Sequence, residues 1–306
     1  MSNQISTSFV QGFKQGIDIL TQQKGSKLQN AVRNETQASK QDHYDQISAT
    51  TVVTRTTRHG DTPLVNTPHS RRNVTLTDYE WADLIDRQDR LRLLNDPANA
   101  YSMNAAFAMG RQKDALILDA FTKSQTTGET GGSTAPAVTA INANTSHGLL
   151  TIEDLIIART QLQIEDDSDE ETFIAVSGYQ IAQLLDSERI SSSDYNTVKA
   201  LVAGQIDTFM GFKFIQVASS ILPMQSGTAG PAGVAGGSVR IVPFWKKSGI
   251  LLATGANESG SSARITERPD KSYSTQIYYS ASFGSARMEE DKCGIIYVGD
   301  DPAVVP

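Results

Sequence analysis

The sequence is poor in the residues from which redox, metal and membrane sites are built. Cys293 is its single cysteine, which excludes an intrachain disulfide and a zinc site made of several cysteines. The only histidines are His43, His59, His69 and His147, and none lies within one helical turn of another. No window approaches the roughly 18 consecutive apolar residues of a membrane helix. These absences exclude disulfide-rich and helical membrane proteins.

The motifs of common enzyme classes are also missing. There is no phosphate-binding G-x-x-x-x-G-K-[ST] loop, no G-x-S-x-G nucleophile turn and no H-E-x-x-H zinc motif. The glycine clusters at 128–132 and 227–237 are not followed by Lys-Ser or Lys-Thr, so we interpret them as flexible loops. We therefore expect a protein that is not an enzyme and holds no cofactor.

Two groups of side chains could in principle bind a cation, and we expect neither to do so. His59, Asp61 and His69 lie in a turn with arginines on both sides, which disfavours a positive ion. A calcium loop starting at Asp167 would need glycine at its sixth position and glutamate at its twelfth, where Thr172 and Gly178 stand instead. A solvated loop therefore explains that acidic run better; its members are Glu165, Asp166, Asp167, Asp169, Glu170 and Glu171.

The composition and net charge of the chain predict a folded, acidic protein. The chain is 39% hydrophobic and 20% charged, and its net charge of −7 argues against a surface wholly devoted to nucleic acid. The N terminus MSNQISTSFVQGFKQG lacks the basic start and apolar core of a signal peptide, so we expect synthesis in the cytoplasm without export. The missing export signal also disfavours a surface adhesin.

The first third of the chain carries elements that need an external partner. Phe9, Phe13, Ile17 and Leu20 recur at helical spacing inside a polar segment, which predicts an arm lying against another surface. Residues 49–58 and 73–79 are rich in β-branched residues and predict a long hairpin. Because an isolated two-stranded hairpin is marginally stable in water, we expect it to lie on a neighbouring subunit.

A mixed body of helices and strands follows. Asp96 and Pro97 predict the start of a helix over 97–124, roughly 40 Å long. Thr151 predicts the cap of a second helix that runs to about Ile164. Gly211 predicts a turn before a strand. The remaining predictions are helices at 178–188 and 191–204, a flexible loop at 219–238, and strands at 172–177, 212–218, 239–245, 249–254, 272–284 and 292–298. The fold class is α+β.

Charges of opposite sign occupy adjacent segments of the hairpin region. Four arginines are set against a single acid, Asp61, and a run of acids follows. This arrangement predicts head-to-tail contacts between copies, with a solvated charged surface as the alternative. Nucleic-acid binding is less favoured because no aromatic residues are interleaved. The predicted interface residues are Arg55, Arg58, Arg71, Arg72, Asp78, Glu80, Asp83 and Asp86, with Asp89 continuing the acidic run.

The order of these elements resembles the major capsid protein of tailed bacteriophages, which has the Hong Kong 97-like fold. The resemblance covers nearly the whole chain. It is carried by KGSKLQNAVR, DTPLVNTPHSRRNVTLTDYEWADLID, NAAFAMGRQKDALILDA, SSDYNTVKALVAGQIDTFMGFKFI and ARITERPDKSYSTQIYYSASFGSARMEEDKCGIIYV.

The resemblance implies a division into named parts. Residues 1–48 are the expected N-arm and 49–92 the expected extended loop that overlaps an adjacent subunit. Residues 93–171, with the spine helix 97–124, and the C-terminal strands 256–306 are the expected peripheral domain. Residues 172–255 are the expected axial domain.

The resemblance also implies partners and a location. We expect pentamers and hexamers of this chain to form the icosahedral shell of the virion around double-stranded DNA, after assembly in the host cytoplasm. The expected partners are a portal at one vertex, a scaffolding protein during assembly and, in some virions, a decoration protein. Some relatives weld subunits by a lysine-to-asparagine bond, but this sequence has no lysine between Lys40 and Lys113, so that bond is not expected. The rival within the same fold is the shell protein of a bacterial nanocompartment.

Overall fold

The computed structural model describes residues 22–58, 60–86, 98–130, 132–141, 149–164, 170–186, 208–224, 238–256 and 264–300. Three α-helices lie in these ranges: α1, Ala98–Thr122; α2, Ile152–Gln163; and α3, Gly178–Asp186. The strands of the N-terminal part are β1 (Arg33–Gln37), β2 (Gln41–Ile47), β3 (His69–Thr75), β4 (Thr77–Ile85), β5 (Thr126–Thr127), β6 (Ser133–Thr134) and β7 (Thr139–Ile141). The later strands are β8 (Thr172–Val176), β9 (Thr208–Phe209), β10 (Phe212–Gln216), β11 (Ser238–Lys246), β12 (Ile250–Gly255), β13 (Arg264–Arg268), β14 (Ser274–Arg287) and β15 (Cys293–Asp300).

The helices begin where the sequence predicts. Helix α1 occupies residues 98–122, within the predicted range 97–124. None of the helices in the described ranges is long and apolar enough to cross a membrane. Thr151 caps α2 in a capping box, in which its hydroxyl accepts from the backbone N–H of Asp154 while the Asp154 carboxylate accepts from that of Thr151. Gly211 has a φ of +82°, a conformation that favours glycine, and it lies in the predicted turn before β10.

The first of two main sheets has five strands and carries the long helix. Its order is β1–β12–β14–β13, with β4 also paired to β14. Tyr278 of β14 pairs with Arg264 of β13 and with Ala82 of β4, so these two strands lie on opposite edges of β14. Helix α1 packs on one face of this sheet through Ala105 and Met109.

The second main sheet has six strands in the order β7–β15–β11–β8–β10–β9. Helices α2 and α3 pack against it around Leu155, Leu184 and Phe244. A further core joins the two sheets, and Trp245 lies at its centre with its indole N–H donating to the carbonyl of Ala31 at 2.9 Å. Burial of these apolar faces holds the sheets together.

The hairpin is displaced from its predicted position. Strand β2 pairs with β3 in antiparallel register from Gln41↔Thr75 to Ile47↔His69, and the described residues between them, 48–58 and 60–68, form the tip loop. The prediction of a strand at 49–58 is therefore wrong for the isolated subunit, because no strand pairs with that segment among the described residues. The polar sequence QDHYDQI forms the strand instead, opposite β3.

Each main sheet contains strands from both of the predicted domains. Strand β12 lies within the predicted axial domain, 172–255, and belongs to the five-stranded sheet, whereas β15 lies within the predicted C-terminal segment, 256–306, and pairs with β11 in the six-stranded sheet. Residues 22–37 of the predicted arm pack on their own subunit, ending as β1 beside β12. Strand pairing between distant segments decides these memberships, and sequence patterns do not reveal it.

Several predictions lie outside the described residues. They are the helix around Phe9–Leu20, the helix at 191–204, most of the loop at 219–238, residues 165–169 of the acidic run, and the single positions His59, Asp89 and His147.

Candidate subunit interface

The tip loop projects apolar side chains into solvent. Val52 is 97% exposed and Leu64 is 95% exposed, and Val53 and Val65 are exposed as well. Soluble proteins expose single apolar residues commonly, but a long loop with several of them is typical of a surface that another chain covers. The tip loop is therefore the strongest candidate for contact with a neighbouring subunit.

The base of the hairpin is fixed to its own subunit by a buried ionic cluster. Arg72 is 5% exposed, and its guanidinium lies 2.5 Å from the Glu290 carboxylate. Glu290 also pairs with Arg287 at 3.3 Å. Arg287 in turn donates to the carbonyls of Ala120 and Phe121, which satisfies carbonyls at the C-terminal end of α1. The hairpin, the long helix and β14 are thus joined at one point.

Arg72 differs from the other predicted interface residues. Its guanidinium is buried and paired with Glu290 of the same chain, which disfavours a contact of this side chain with a neighbouring subunit. Arg71 lies next to it but is partly exposed and pairs with Asp45 across the hairpin at 2.6 Å. The hydrogen bond from Arg71 lowers the pKa of the Asp45 carboxyl below its ordinary value.

The other predicted interface residues lie on the surface. Arg55 and Arg58 are exposed in the tip loop. Asp78, Glu80 and Asp83 are exposed on β4, and Asp86 directly follows that strand. Within the part of the chain that the structure describes, none of these acids forms an ion pair with the predicted arginines. Their role in assembly remains a prediction.

Hydrogen bonds hold two of these acids in place on the outer face of the sheet. The Asp78 carboxylate accepts from the Ser282 hydroxyl at 2.6 Å, and Glu80 accepts from the Tyr278 hydroxyl at 3.0 Å. Both donors belong to β14, the neighbouring strand. The carboxylates are therefore oriented on the surface while they keep lone pairs for a further partner.

The root of the N-terminal arm is attached to α1 by a buried carboxylate that the sequence analysis missed. Asp114 is fully buried and accepts from the backbone N–H of Lys27 at 3.0 Å and of Leu28 at 3.1 Å. The Ser26 hydroxyl and the Gln23 amide donate to the same carboxylate. The available signal was an acid on the apolar stripe of α1, one turn before Ile117 and Leu118.

Two carboxylates of the acidic run, Glu170 and Glu171, bind other side chains and backbone groups of this chain. Glu170 accepts from the backbone N–H and hydroxyl of Ser248, and Glu171 pairs with Lys213 at 2.5 Å. No group of three or more metal-ligating side chains occurs within the described ranges.

Comparison with known proteins identifies the family. A family model described as phage capsid protein matches residues 5–298. No curated protein matches the sequence. The fold is similar to the capsid of the cyanophage P-SCSP1u, with 14% identity and a TM-score of 0.72 over 97% of this chain and 95% of that one. It is also similar to a Mycobacterium phage Che8 structure, with 14% identity and a TM-score of 0.67 over 94% and 97% of the two chains.

These similarities confirm the predicted fold class. A capsid chain of a native GTA particle matches with 9% identity and a TM-score of 0.69 over 97% of each chain. The α+β architecture with a long helix is therefore the Hong Kong 97-like capsid fold. The family consists of structural proteins, which confirms the prediction that the chain is not an enzyme. Because the family match spans nearly the entire sequence, this chain belongs to the phage capsid protein family.

Proposed function

We propose that this chain is the major shell subunit of a tailed phage and closes, as pentamers and hexamers, into the icosahedral head around double-stranded DNA. The family match supports a capsid protein of the virion that assembles into a multimeric shell. Solved structures of similar fold are capsids, among them the asymmetric unit of the mature bacteriophage PhiM1 capsid. The nanocompartment alternative is not favoured, since the matched family is that of phage capsids.

The observation that carries the proposal is the exposure of Val52 and Leu64 on the tip loop. Full burial of one such side chain contributes about 1.5–3 kcal/mol, so covering several of them stabilises a contact between subunits. A loop that docks on a different surface of the next copy makes a heterologous contact, and such contacts close into rings. The tip loop is therefore the overlapping part of the proposed shell.

The shell is held together without covalent bonds between subunits in this proposal. The hairpin and tip loop contain no lysine, since none occurs between Lys40 and Lys113. A lysine-to-asparagine bond from this loop therefore has no donor. Purified shells are expected to run as single subunits when boiled in detergent, and a ladder of covalent multimers would contradict this part of the proposal.

The remaining partners follow from the same proposal. A separate scaffolding protein guides assembly in the host cytoplasm, and a portal occupies one vertex. The shell subunit, whose net charge is −7, contacts the packaged DNA without sequence specificity. A decoration protein is a further partner where the mature shell carries one.

Electron microscopy of the expressed protein tests the proposal. The wild-type chain, expressed with its neighbouring phage genes, is expected to form closed shells. The double variant Val52→Ser and Leu64→Ser is expected to remain a folded, unassembled subunit, because its loop no longer gains from burial. Val52→Ile with Leu64→Met is the matched control, since it keeps apolar side chains at both positions and is expected to assemble. Wild-type shell formation by the serine double variant would sink the tip-loop argument.

A further inference from the structure

One edge of strand β4 has no strand partner among the described residues. It pairs along nine residues with β14, from Thr77↔Phe283 to Ile85↔Thr275. In the part of the chain that the structure describes, no other strand pairs with β4. The backbone N–H of Leu84 donates to the Asp83 carboxylate at 2.8 Å, and it is therefore not used in the ladder with β14.

The direction of the open edge follows from that hydrogen bond. In an antiparallel ladder, alternate residues direct their N–H and C=O groups to the same side of the strand. Since the backbone N–H of Leu84 points away from β14, the backbone N–H and C=O groups of Asp78, Glu80 and Ala82 also point away from β14. An exposed row of unpaired backbone groups is a template for a further strand.

The segment 49–58 has the properties of the missing strand. Its sequence ATTVVTRTTR contains β-branched residues at 50–54, 56 and 57, the types most enriched in strands. The structure nevertheless leaves this segment exposed and without a strand partner among the described residues. Its ten residues span about 33 Å when extended, which matches the roughly 30 Å of β4.

Charge favours pairing of the segment 49–58 with β4 over pairing of β4 with the β4 strand of another copy. The segment carries Arg55 and Arg58 and no acid, whereas β4 presents Asp78, Glu80 and Asp83. Opposite charges across two strands are favourable, and like charges directly opposite are unfavourable. The acids of β4 therefore attract the basic segment and oppose pairing of one β4 edge with another.

We propose that residues 49–58 of one copy add as a strand to the open edge of β4 in a neighbouring copy. The inference rests on the proposed shell function and names the surface that receives the tip loop. It also explains why the sequence predicts a strand that the isolated subunit lacks: the hydrogen-bonding partner of that strand belongs to another chain. Backbone hydrogen bonds provide the affinity, and the arginine–acid pairs select the partner.

Disulfide scanning in assembled shells tests the pairing. Ala82→Cys is combined with single cysteines placed in turn at 51–57, and the shells are oxidised and analysed on non-reducing gels. The native Cys293 does not interfere, because it is buried and its burial raises the pKa of the thiol. The variant with Ala82→Cys alone is the control and is expected to give only single subunits.

The expected pattern is specific to strand addition. Side chains of a paired strand alternate between the two faces of the sheet, so the yield of cross-linked multimers is expected to rise and fall with a period of two residues. Cross-linking without that period, cross-linking confined to single chains, or no cross-linking in intact shells would each overturn the proposal. In all three cases the shell function stands. Failure of the wild-type chain to form shells would instead count against the function itself.

Proline substitution gives a second, independent test. Ala82→Pro removes an N–H from the open edge without removing a hydrogen bond to β14, and edge strands tolerate proline at such positions. The variant is expected to fold, with an unchanged circular dichroism spectrum, and to lose assembly. Ala82→Ser is the control and is expected to assemble. Normal shells from a folded Ala82→Pro variant would contradict strand addition.

Discussion

Single buried polar residues fix the joints between segments of this subunit. Asp114 joins the arm root to α1, and Glu290 joins the hairpin to β14 and to the end of α1 through Arg72 and Arg287. Each carboxylate accepts from several donors; Asp114 is fully buried, and the side chain of Glu290 is 16% exposed. Buried charges of this kind are costly unless they are paired, so their partners cannot be removed without large effects.

Asp114→Ala is expected to destabilise the unassembled subunit by about 3 kcal/mol, because it leaves the buried N–H of Leu28 and the partly buried N–H of Lys27 without an acceptor. Urea unfolding measures this change. Asp119→Ala is the matched control on the same helix. It removes only the more exposed pair with Lys123 and is expected to cost less than about 0.5 kcal/mol. Equal effects of the two substitutions would contradict the arm-root assignment.

Glu290→Ala is expected to cost about 3–5 kcal/mol, because it leaves the buried guanidiniums of Arg72 and Arg287 without their carboxylate. Arg71→Ala is the control from the adjacent position, and it removes only a solvent-exposed pair with Asp45. That substitution is expected to leave the urea midpoint nearly unchanged. A small effect of Glu290→Ala would show that the cluster does not hold the hairpin base.

Among the secondary-structure elements, α1 has a glycine where the N-terminal arm packs closely against it. Gly110 faces the backbone of the arm, and a Cβ at this position would lie 2.4 Å from the carbonyl carbon of Gly25. Glycine inside a helix costs about 1 kcal/mol relative to alanine, so the position is kept small at the expense of helix propensity. The close approach allows Asp114, one turn further along α1, to reach the N–H groups of the arm.

Gly110→Ala is expected to destabilise the subunit by about 1–3 kcal/mol, because the clash with backbone exceeds the gain in helix propensity. Displacement of the arm is also expected to speed trypsin cleavage at Lys24 and Lys27. Gly132→Ala serves as control, since the nearest atom to its Cβ would be the Thr130 hydroxyl at 3.6 Å. A more stable Gly110→Ala variant with an uncut arm would refute the close packing.

For the whole molecule, the proposed function requires that another copy covers the exposed tip loop. The tip loop exposes Arg55 and Arg58, both of which are trypsin sites. Free subunits are expected to be cut there rapidly, whereas assembled shells are expected to resist because the loop is covered. Mass spectrometry of timed digests measures the two rates, and shells dissociated in mild denaturant are expected to regain cleavage. Equal rates in shells and free subunits would mean that assembly leaves the loop uncovered.

Local sequence signals were sufficient to predict several elements of the fold. Helix α1 was predictable from Asp96, Pro97 and a long run without a further proline, α2 from the Thr151 cap, and the turn before β10 from Gly211. Caps, turns and apolar periodicity act within a few residues, so a linear reading detects them. The exposed charges of the tip loop and of β4 were found in the same way.

Tertiary structure alone decided which segments pair and which charges are buried. Polar β2 is a strand because β3 lies beside it, and β15 joins the six-stranded sheet because β11 lies next to it, far away in sequence. Arg71 and Arg72 are indistinguishable in the sequence, yet one is solvated and the other is enclosed with Glu290. Strand pairing and burial depend on contacts between distant residues, and such contacts exist only once the chain has folded.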